Sequence, residues 1–479
     1  LHAVTLISTP SGEVRGLDRS PTHVFKGIRF AHAARFESPS DVTSWTGEYD
    51  GTTYRAQAPQ NHGALEKMLG SSSLPTDEDC LFLNVFTPAC DAGRRPVLVW
   101  IHGGAYVTGG GAMPWYDGSR LASRGDVVVV TINYRLGTLG FLGDANLGTL
   151  DMVSALRWVA RNIEAFGGDP DDVTVFGESA GGSAVVSLFA TPDADALFRR
   201  GWAMSPSILQ LRQPHHADRY LAEVLEATGH VSIGTLRSAP VADLLAAQGE
   251  ILLGASAGLK CFAPTEGTEV IPPAILDHAA VDDRPLVIGT TRDEMNLFTV
   301  FDPTRAGFDA DRSRREFELR FGDLAADAIE AYSEHRAGFD PDQLTSAMQT
   351  DEVFRWPAWS LSERRAATGA PTWMYEFDWA TPVFGGGLGA CHGLDIPFAF
   401  DNMARPGVDL FTGDGDPVAD GRQDVANQFA STILAFARGD DPGWAMYDLD
   451  RRATRVIGLE PRVVDDPEPG LRTLWARRG

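Results

Sequence analysis

The residues of this chain best placed to do chemistry are centred on Gly177-Glu178-Ser179-Ala180-Gly181. Val173-Thr-Val-Phe176, just before it, has strand character, and small residues after it open a helical pattern. A serine in that setting sits on a sharp strand-to-helix turn with its hydroxyl projecting above the sheet edge. Gly177 and Gly181 are expected because side chains there would collide as the turn tightens. The turn also aims a helix N-terminus at the serine, which helps hold developing negative charge. The chemistry is nucleophilic attack, with Ser179 as the nucleophile. The same spacing serves an ordinary Gly/Ser-rich turn that packs a helix on a strand, so the surrounding motifs decide.

Upstream, Val97 to Ile101 reads as a buried parallel strand that ends in His102-Gly103-Gly104-Ala105. A loop of this type supplies backbone N–H groups to the oxyanion hole of lipases and esterases. Glycine lets the backbone approach a substrate oxygen, and the small Ala105 leaves its N–H open. The expected donors are the N–H groups of Gly104, Ala105 and Ala180, the last directly after the nucleophile. Donors fixed in advance act on charge that appears only in the transition state, each contributing about 3–4 kcal/mol.

Further motifs extend the pattern. They are Asp77-Glu-Asp-Cys-Leu-Phe-Leu-Asn-Val-Phe-Thr-Pro88, Asn133-Tyr-Arg-Leu-Gly-Thr-Leu-Gly-Phe141 and Phe166-Gly-Gly-Asp-Pro-Asp-Asp-Val173 before the serine turn. Gly289-Thr-Thr-Arg-Asp-Glu294, Cys391-His-Gly-Leu-Asp-Ile-Pro-Phe398 and Phe436-Ala-Arg-Gly-Asp-Asp-Pro-Gly-Trp-Ala-Met-Tyr447 follow it. Together they resemble the type-B carboxylesterase family, which includes bacterial p-nitrobenzyl esterases and cholinesterases, over essentially the whole chain. The resemblance implies a triad. Its acid matches Glu294 and its base matches His392, and the order Ser179, Glu294, His392 is that of α/β-hydrolases. A serine hydroxyl needs a neutral imidazole to take its proton. The carboxylate orients that ring and stabilises the imidazolium that forms. The resemblance also implies two supporting residues: Glu178, as a buried acid beside the site, and Ser205, as a serine hydrogen-bonded to the triad acid.

Each assignment has a rival. Asp293 is an alternative inward-facing carboxylate to Glu294. His102 competes with His392, although its place inside the oxyanion loop suits a shaping role better. Glu178 also reads as a turn carboxylate bonded to backbone N–H groups. His215-His216 lack any partner at metal-ligand spacing and read as a solvated loop. Departures from the family pattern are equally specific. Pro206 follows Ser205 where glycine is usual, and Pro restricts the backbone on both sides. Met295 stands where the family has glycine after the acid, so a positive φ there would be strained. The segment between Phe141 and Asn146 is short. Cys80 lacks the family's upstream disulfide partner, and whether it pairs with Cys90 is open.

The positioning elements follow from hydrophobic runs. Val97–Ile101, Val127–Asn133, Val173–Phe176, Leu286–Gly289 and Thr372–Asp378 read as strands. Thr149–Phe166 has helical spacing, stopped by Gly167-Gly168. This alternation predicts an α/β fold with a mostly parallel central sheet flanked by helices, and the resemblance makes it an α/β-hydrolase fold. Helical patterns over Ala217–Gly254 and Arg314–Thr368 predict helical insertions over the active site, at about 205–270 and 300–370, within one domain spanning 1–479. Tyr106, Trp115, Phe298, Trp356, Phe384 and Phe398 are aromatics that either line a substrate gorge or belong to the core.

Composition sets bounds. The chain has 479 residues, 43% of them hydrophobic, enough for a substantial core. Its formal charge of −24 disfavours nucleic acid and anionic membrane surfaces as partners. Four cysteines argue against a disulfide-built scaffold, and no apolar run reaches spanning length, so the expectation is a cytoplasmic protein, with a processed secreted form as the alternative. The expected activity is carboxylic-ester hydrolysis through an acyl-enzyme on a small-molecule ester, with no metal or organic cofactor. Lipase, amidase or natural-product deacetylase activity on the same triad, and a catalytically silent binding module, are the alternatives. Substrate identity and oligomeric state are not legible.

Overall fold

The computed structural model describes residues 3–61, 74–254 and 261–478. Its centre is a thirteen-stranded sheet. Seven adjacent strands are parallel, in the order Val128–Ile132, Arg95–Ile101, Gly168–Glu178, Arg200–Met204, Leu286–Thr291, Thr372–Phe377 and Ala453–Ile457. Antiparallel strands flank them: Ala3–Thr9, Gly12–Asp18, His23–Arg29 and Phe82–Thr87 on one side, Arg462–Asp465 on the other. The mostly parallel sheet expected from the alternating pattern is therefore present. The antiparallel flanks are an addition that the sequence reading did not include.

Parallel strands buried on both faces need continuous apolar runs, and the pleat sends alternate residues to opposite layers. Val97, Val99 and Ile101 enter one apolar cluster, while Leu98 and Trp100 enter the other. Helices Leu147–Asn162, Ala180–Ala190 and Trp356–Thr368 cover the first face, and Arg422–Ala437 covers the second. The helix expected over Thr149–Phe166 spans Leu147–Asn162 and tightens into a 3₁₀ turn at Ile163–Phe166. It ends at Gly167, whose φ of 81° is the left-handed stop expected of glycine.

The long segments between the triad motifs are helical. Pro214–Thr228 and Val241–Gly254 lie in the first, and Ala310–Phe321, Ala325–His335, Pro341–Thr350 and Trp356–Thr368 lie in the second. Among the described residues no helix is long and apolar enough to cross a membrane. None of Cys80, Cys90, Cys261 and Cys391 forms a disulfide, so Cys80 and Cys90 are not bonded to each other.

Candidate active site

Ser179 lies at the end of Gly168–Glu178 and immediately before Ala180–Ala190, with φ 57° and ψ −120°. A non-glycine residue in that region is strained and persists only where its surroundings over-determine it. Here the surroundings do so. A Cβ on Gly177 would meet Ile101 O at 2.6 Å, and one on Gly181 would meet it at 2.0 Å. The two glycines therefore let the turn close against the end of the neighbouring strand, as the spacing predicted. Ser179 N–H donates to Met204 O at 2.9 Å, which ties the turn to the strand on its other side.

The loop after Arg95–Ile101 lies against this turn. A Cβ on Gly103 would sit 2.7 Å from Glu178 O and 3.0 Å from Ser179 Cβ. Gly104 has φ 106°, and its carbonyl accepts from Val107 N–H and Thr108 N–H, both at 2.9 Å. Ala105 and Tyr106 also have positive φ, 52° and 61°. No group of the described residues takes the N–H of Gly104, Ala105 or Ala180, so three backbone donors are open beside the serine. His102 shapes this loop. Its Nδ1 lies 2.8 Å from Gly103 O, so that nitrogen carries the proton, and its ring stacks on Tyr134 at 4.4 Å. Burial lowers its pKa to about 4 and keeps it neutral.

Glu294 follows Leu286–Thr291 in a tight turn and is fully buried. Its Oε1 accepts from Thr291 N–H at 2.7 Å, and its Oε2 lies 2.6 Å from His392 Nδ1. Asp293 instead accepts from Ala390 N–H at 2.9 Å and pairs with Arg292, so it holds the backbone of the histidine loop and does not reach the ring. Met295 has φ −69° and ψ −14°, which removes the expected strain: the turn passes into Asn296–Thr299 without a left-handed residue, and glycine is not required.

His392 Nε2 faces Glu178 Oε1 at 3.1 Å, an ion-pair distance without hydrogen-bond alignment. Ser179 Oγ makes no hydrogen bond to His392, whose Nδ1 and Nε2 face Glu294 and Glu178. Burial pushes the Glu178 carboxyl up to about 7, against the pull of His392. Burial disfavours the His392 imidazolium, but Glu178 and Glu294 outweigh it and raise its pKa to about 9. No backbone N–H reaches the Glu178 carboxylate among the described residues, so it is not a turn-capping acid.

Ser205 departs from expectation. It takes φ 46°, its N–H donates to Gly289 O at 2.8 Å, and its hydroxyl is buried without a partner. No hydrogen bond from Ser205 to Glu294 is present; that carboxylate takes Thr291 N–H and His392, and Pro206 fixes the chain direction beyond Ser205. Of the gorge aromatics, Phe298 lies 5.3 Å from the His392 ring and Tyr106 follows the open loop donors. Trp115 and Phe398 are core residues, Trp356 is partly buried against the core, and Phe384 is exposed and packs on Phe301. His216 Nδ1 accepts from Gln213 N–H at the start of Pro214–Thr228, a capping role.

Two neighbours of the site were missed from the sequence. Phe354 packs on His392 at 4.7 Å, and nothing in its helical spacing separates it from an ordinary core aromatic. Asp395 is fully buried near Glu178, Glu294 and His392, and burial pushes its carboxyl far above the usual range. Its place three residues after the histidine was the available signal.

The model of the carboxylesterase family matches residues 3–465. The chain is 35% identical to phenmedipham hydrolase of Pseudarthrobacter oxydans, over 94% of each chain. It is 34% identical to para-nitrobenzyl esterase of Bacillus subtilis (strain 168), covering 98% of this chain and 97% of the relative. The crystal structure of a Geobacillus stearothermophilus carboxylesterase superposes with a TM-score of 0.87 at 36% identity, covering 98% of this chain and all of the other. On the family match, these relatives and the α/β-hydrolase sheet described above, the chain belongs to the type-B carboxylesterase family and is a carboxylic-ester hydrolase.

Proposed function

We propose that the protein hydrolyses small-molecule carboxylic esters through an acyl-enzyme on Ser179. His392 takes the Ser179 proton as Oγ attacks the ester carbonyl, and Glu294 stabilises the imidazolium. The N–H groups of Gly104, Ala105 and Ala180 receive the oxyanion. The tetrahedral intermediate expels the alcohol, which takes its proton from His392. Water then attacks the acyl carbonyl, giving its proton to His392, and Ser179 Oγ leaves and recovers that proton. Glu178 adds negative charge beside the imidazolium. The single observation that carries the reading is the 2.6 Å Glu294–His392 contact, with the other face of the ring toward Glu178, the residue that immediately precedes a serine forced into a strained turn.

A small, nearly filled recess adjoins the open N–H groups, lined by Ala105, Tyr106, Ala180, Ser183, Ser207 and Leu211. His392 does not line it. The leaving alcohol must face His392 to receive its proton, so this cavity suits the acyl group. Its size favours short acyl chains.

The test is labelling with a fluorophosphonate, peptide mapping by mass spectrometry, and turnover of p-nitrophenyl esters. Labelling at Ser179, together with loss of both signals in Ser179→Ala, is expected. Full esterase activity in Ser179→Ala overturns the assignment.

A further inference from the structure

Pro341–Thr350 and Trp356–Thr368 form one long helix interrupted at Asp351–Arg355 by a single π-turn, closed by Trp356 N–H donating to Asp351 O. A π-turn inserts a residue into the helix and marks functional positions more often than chance. Three side chains around this one touch the catalytic framework. Thr350 Oγ1 accepts from Met295 N–H at 3.1 Å, immediately after Glu294. Arg355 Nη2 donates to Arg292 O at 2.7 Å, two residues before Glu294, and lies 3.5 Å from Thr291 O. Between them Phe354 packs its ring on His392.

We propose that Thr350 and Arg355 are positioning residues that hold the Glu294 turn from both ends and so set the reach of Glu294 to His392. The proposal rests on the reading of Glu294 as the triad acid. Neither residue touches substrate; both act on the backbone that carries the carboxylate.

The arrangement around Arg355 supports this. The turn begins where the strand Leu286–Thr291 leaves the sheet, so the Arg292 carbonyl has no ladder partner and takes Arg355 Nη2 instead. An arginine supplies donors in a planar fork that can satisfy a carbonyl and carboxylates at once. Arg355 is itself held by Asp351, by Glu468 at 3.3 Å and by Glu376 at 3.4 Å. Glu376 sits on the adjacent strand opposite Thr290, so the network is referenced to the sheet and not only to the helix. Asp351 also accepts from Tyr332 OH, and Glu468 pairs with Arg336. Taking these charges out of water is costly, and apolar side chains would pack the same space more cheaply. The fork's direct bond to the acid turn gives that cost a purpose. Trp356–Thr368 buries its apolar face against the sheet, so the reference point is rigid.

The experiment compares Thr350→Val, Thr350→Ser and Arg355→Lys with Glu294→Gln as the reference for loss of the acid. Rates are expressed per site titrated with fluorophosphonate, and melting is measured alongside. Valine keeps the shape of threonine and removes the acceptor, and kcat is expected to fall about tenfold with KM changed less than about twofold. Serine restores the acceptor and is expected to return kcat to within about twofold of the parent. Lysine cannot reproduce the fork, and kcat is expected to fall about a hundredfold. The fluorophosphonate labelling rate at Ser179 should fall in step with kcat. If Arg355→Lys does not fold, the Thr350 pair decides alone. Unchanged kcat per titrated site in Thr350→Val, or equal impairment in the valine and serine variants, overturns the proposal. Unchanged activity in Glu294→Gln would instead remove the triad reading on which it rests.

Discussion

Replacing Glu178 by glutamine tests the electrostatics of the site directly. His392 lies 3.1 Å from Glu178 and 2.6 Å from Glu294, and despite burial these two carboxylates raise its pKa from 6.5 to about 9. That net change corresponds to about 3 kcal/mol in favour of the imidazolium. Glutamine keeps the shape and removes one of the two charges, so the neutral ring gains relative to the charged one. In the proposed mechanism His392 is neutral when it accepts the serine proton, so activity is expected to rise with pH through its pKa, and removing Glu178 to move that limb to lower pH. The expected displacement is roughly one to two pH units, or about 1–3 kcal/mol. The plateau rate should fall at the same time, because the imidazolium formed during acylation has lost a stabilising anion. The assay is the pH profile of kcat/KM on p-nitrophenyl acetate, followed at a wavelength independent of the product's ionisation. A limb that stays in place or moves to higher pH refutes the argument and would mean that Glu178 is neutral in the working enzyme.

Other perturbations have equally definite outcomes. Gly181→Ala places a Cβ 2.0 Å from the Ile101 carbonyl, a backbone contact that cannot yield, and should cost about 3 kcal/mol or more, seen as a lower urea midpoint. Met295→Gly should lower stability by roughly 0.5–1 kcal/mol without raising activity, since the native φ of −69° makes no use of glycine's freedom. A gain in either quantity would mean that the turn is strained after all. Among p-nitrophenyl esters, kcat/KM should drop roughly tenfold between butyrate and octanoate as the small acyl-side cavity overfills, and Leu211→Ala should move the preference toward longer chains. A flat chain-length profile would place the acyl group elsewhere.

The part of this protein that its sequence determined is the part that depends on local geometry. Gly177 and Gly181 could be read because a strand-to-helix turn that presses on Ile101 O tolerates no Cβ, and that constraint is written within five residues. The parallel strands were legible because burial on both faces demands unbroken apolar runs, as in Val97–Ile101. Glu294 and His392 were placed by family register, since neither has a local signature that sets it apart from Asp293 or His102. Tertiary structure brings Glu294 to the His392 ring, turns Asp293 to the Ala390 backbone and closes the His102 ring against Gly103 O and Tyr134. It also decided what departures from the family pattern meant. Met295 is unstrained, whereas Ser205 has lost its expected partner. The grip of Thr350 and Arg355 on the acid turn was not legible at all. It joins residues about 60 positions apart. Helical periodicity reports which face of a helix is buried and says nothing about what that face touches, because the partner is chosen only when the sheet and its covering helices pack together.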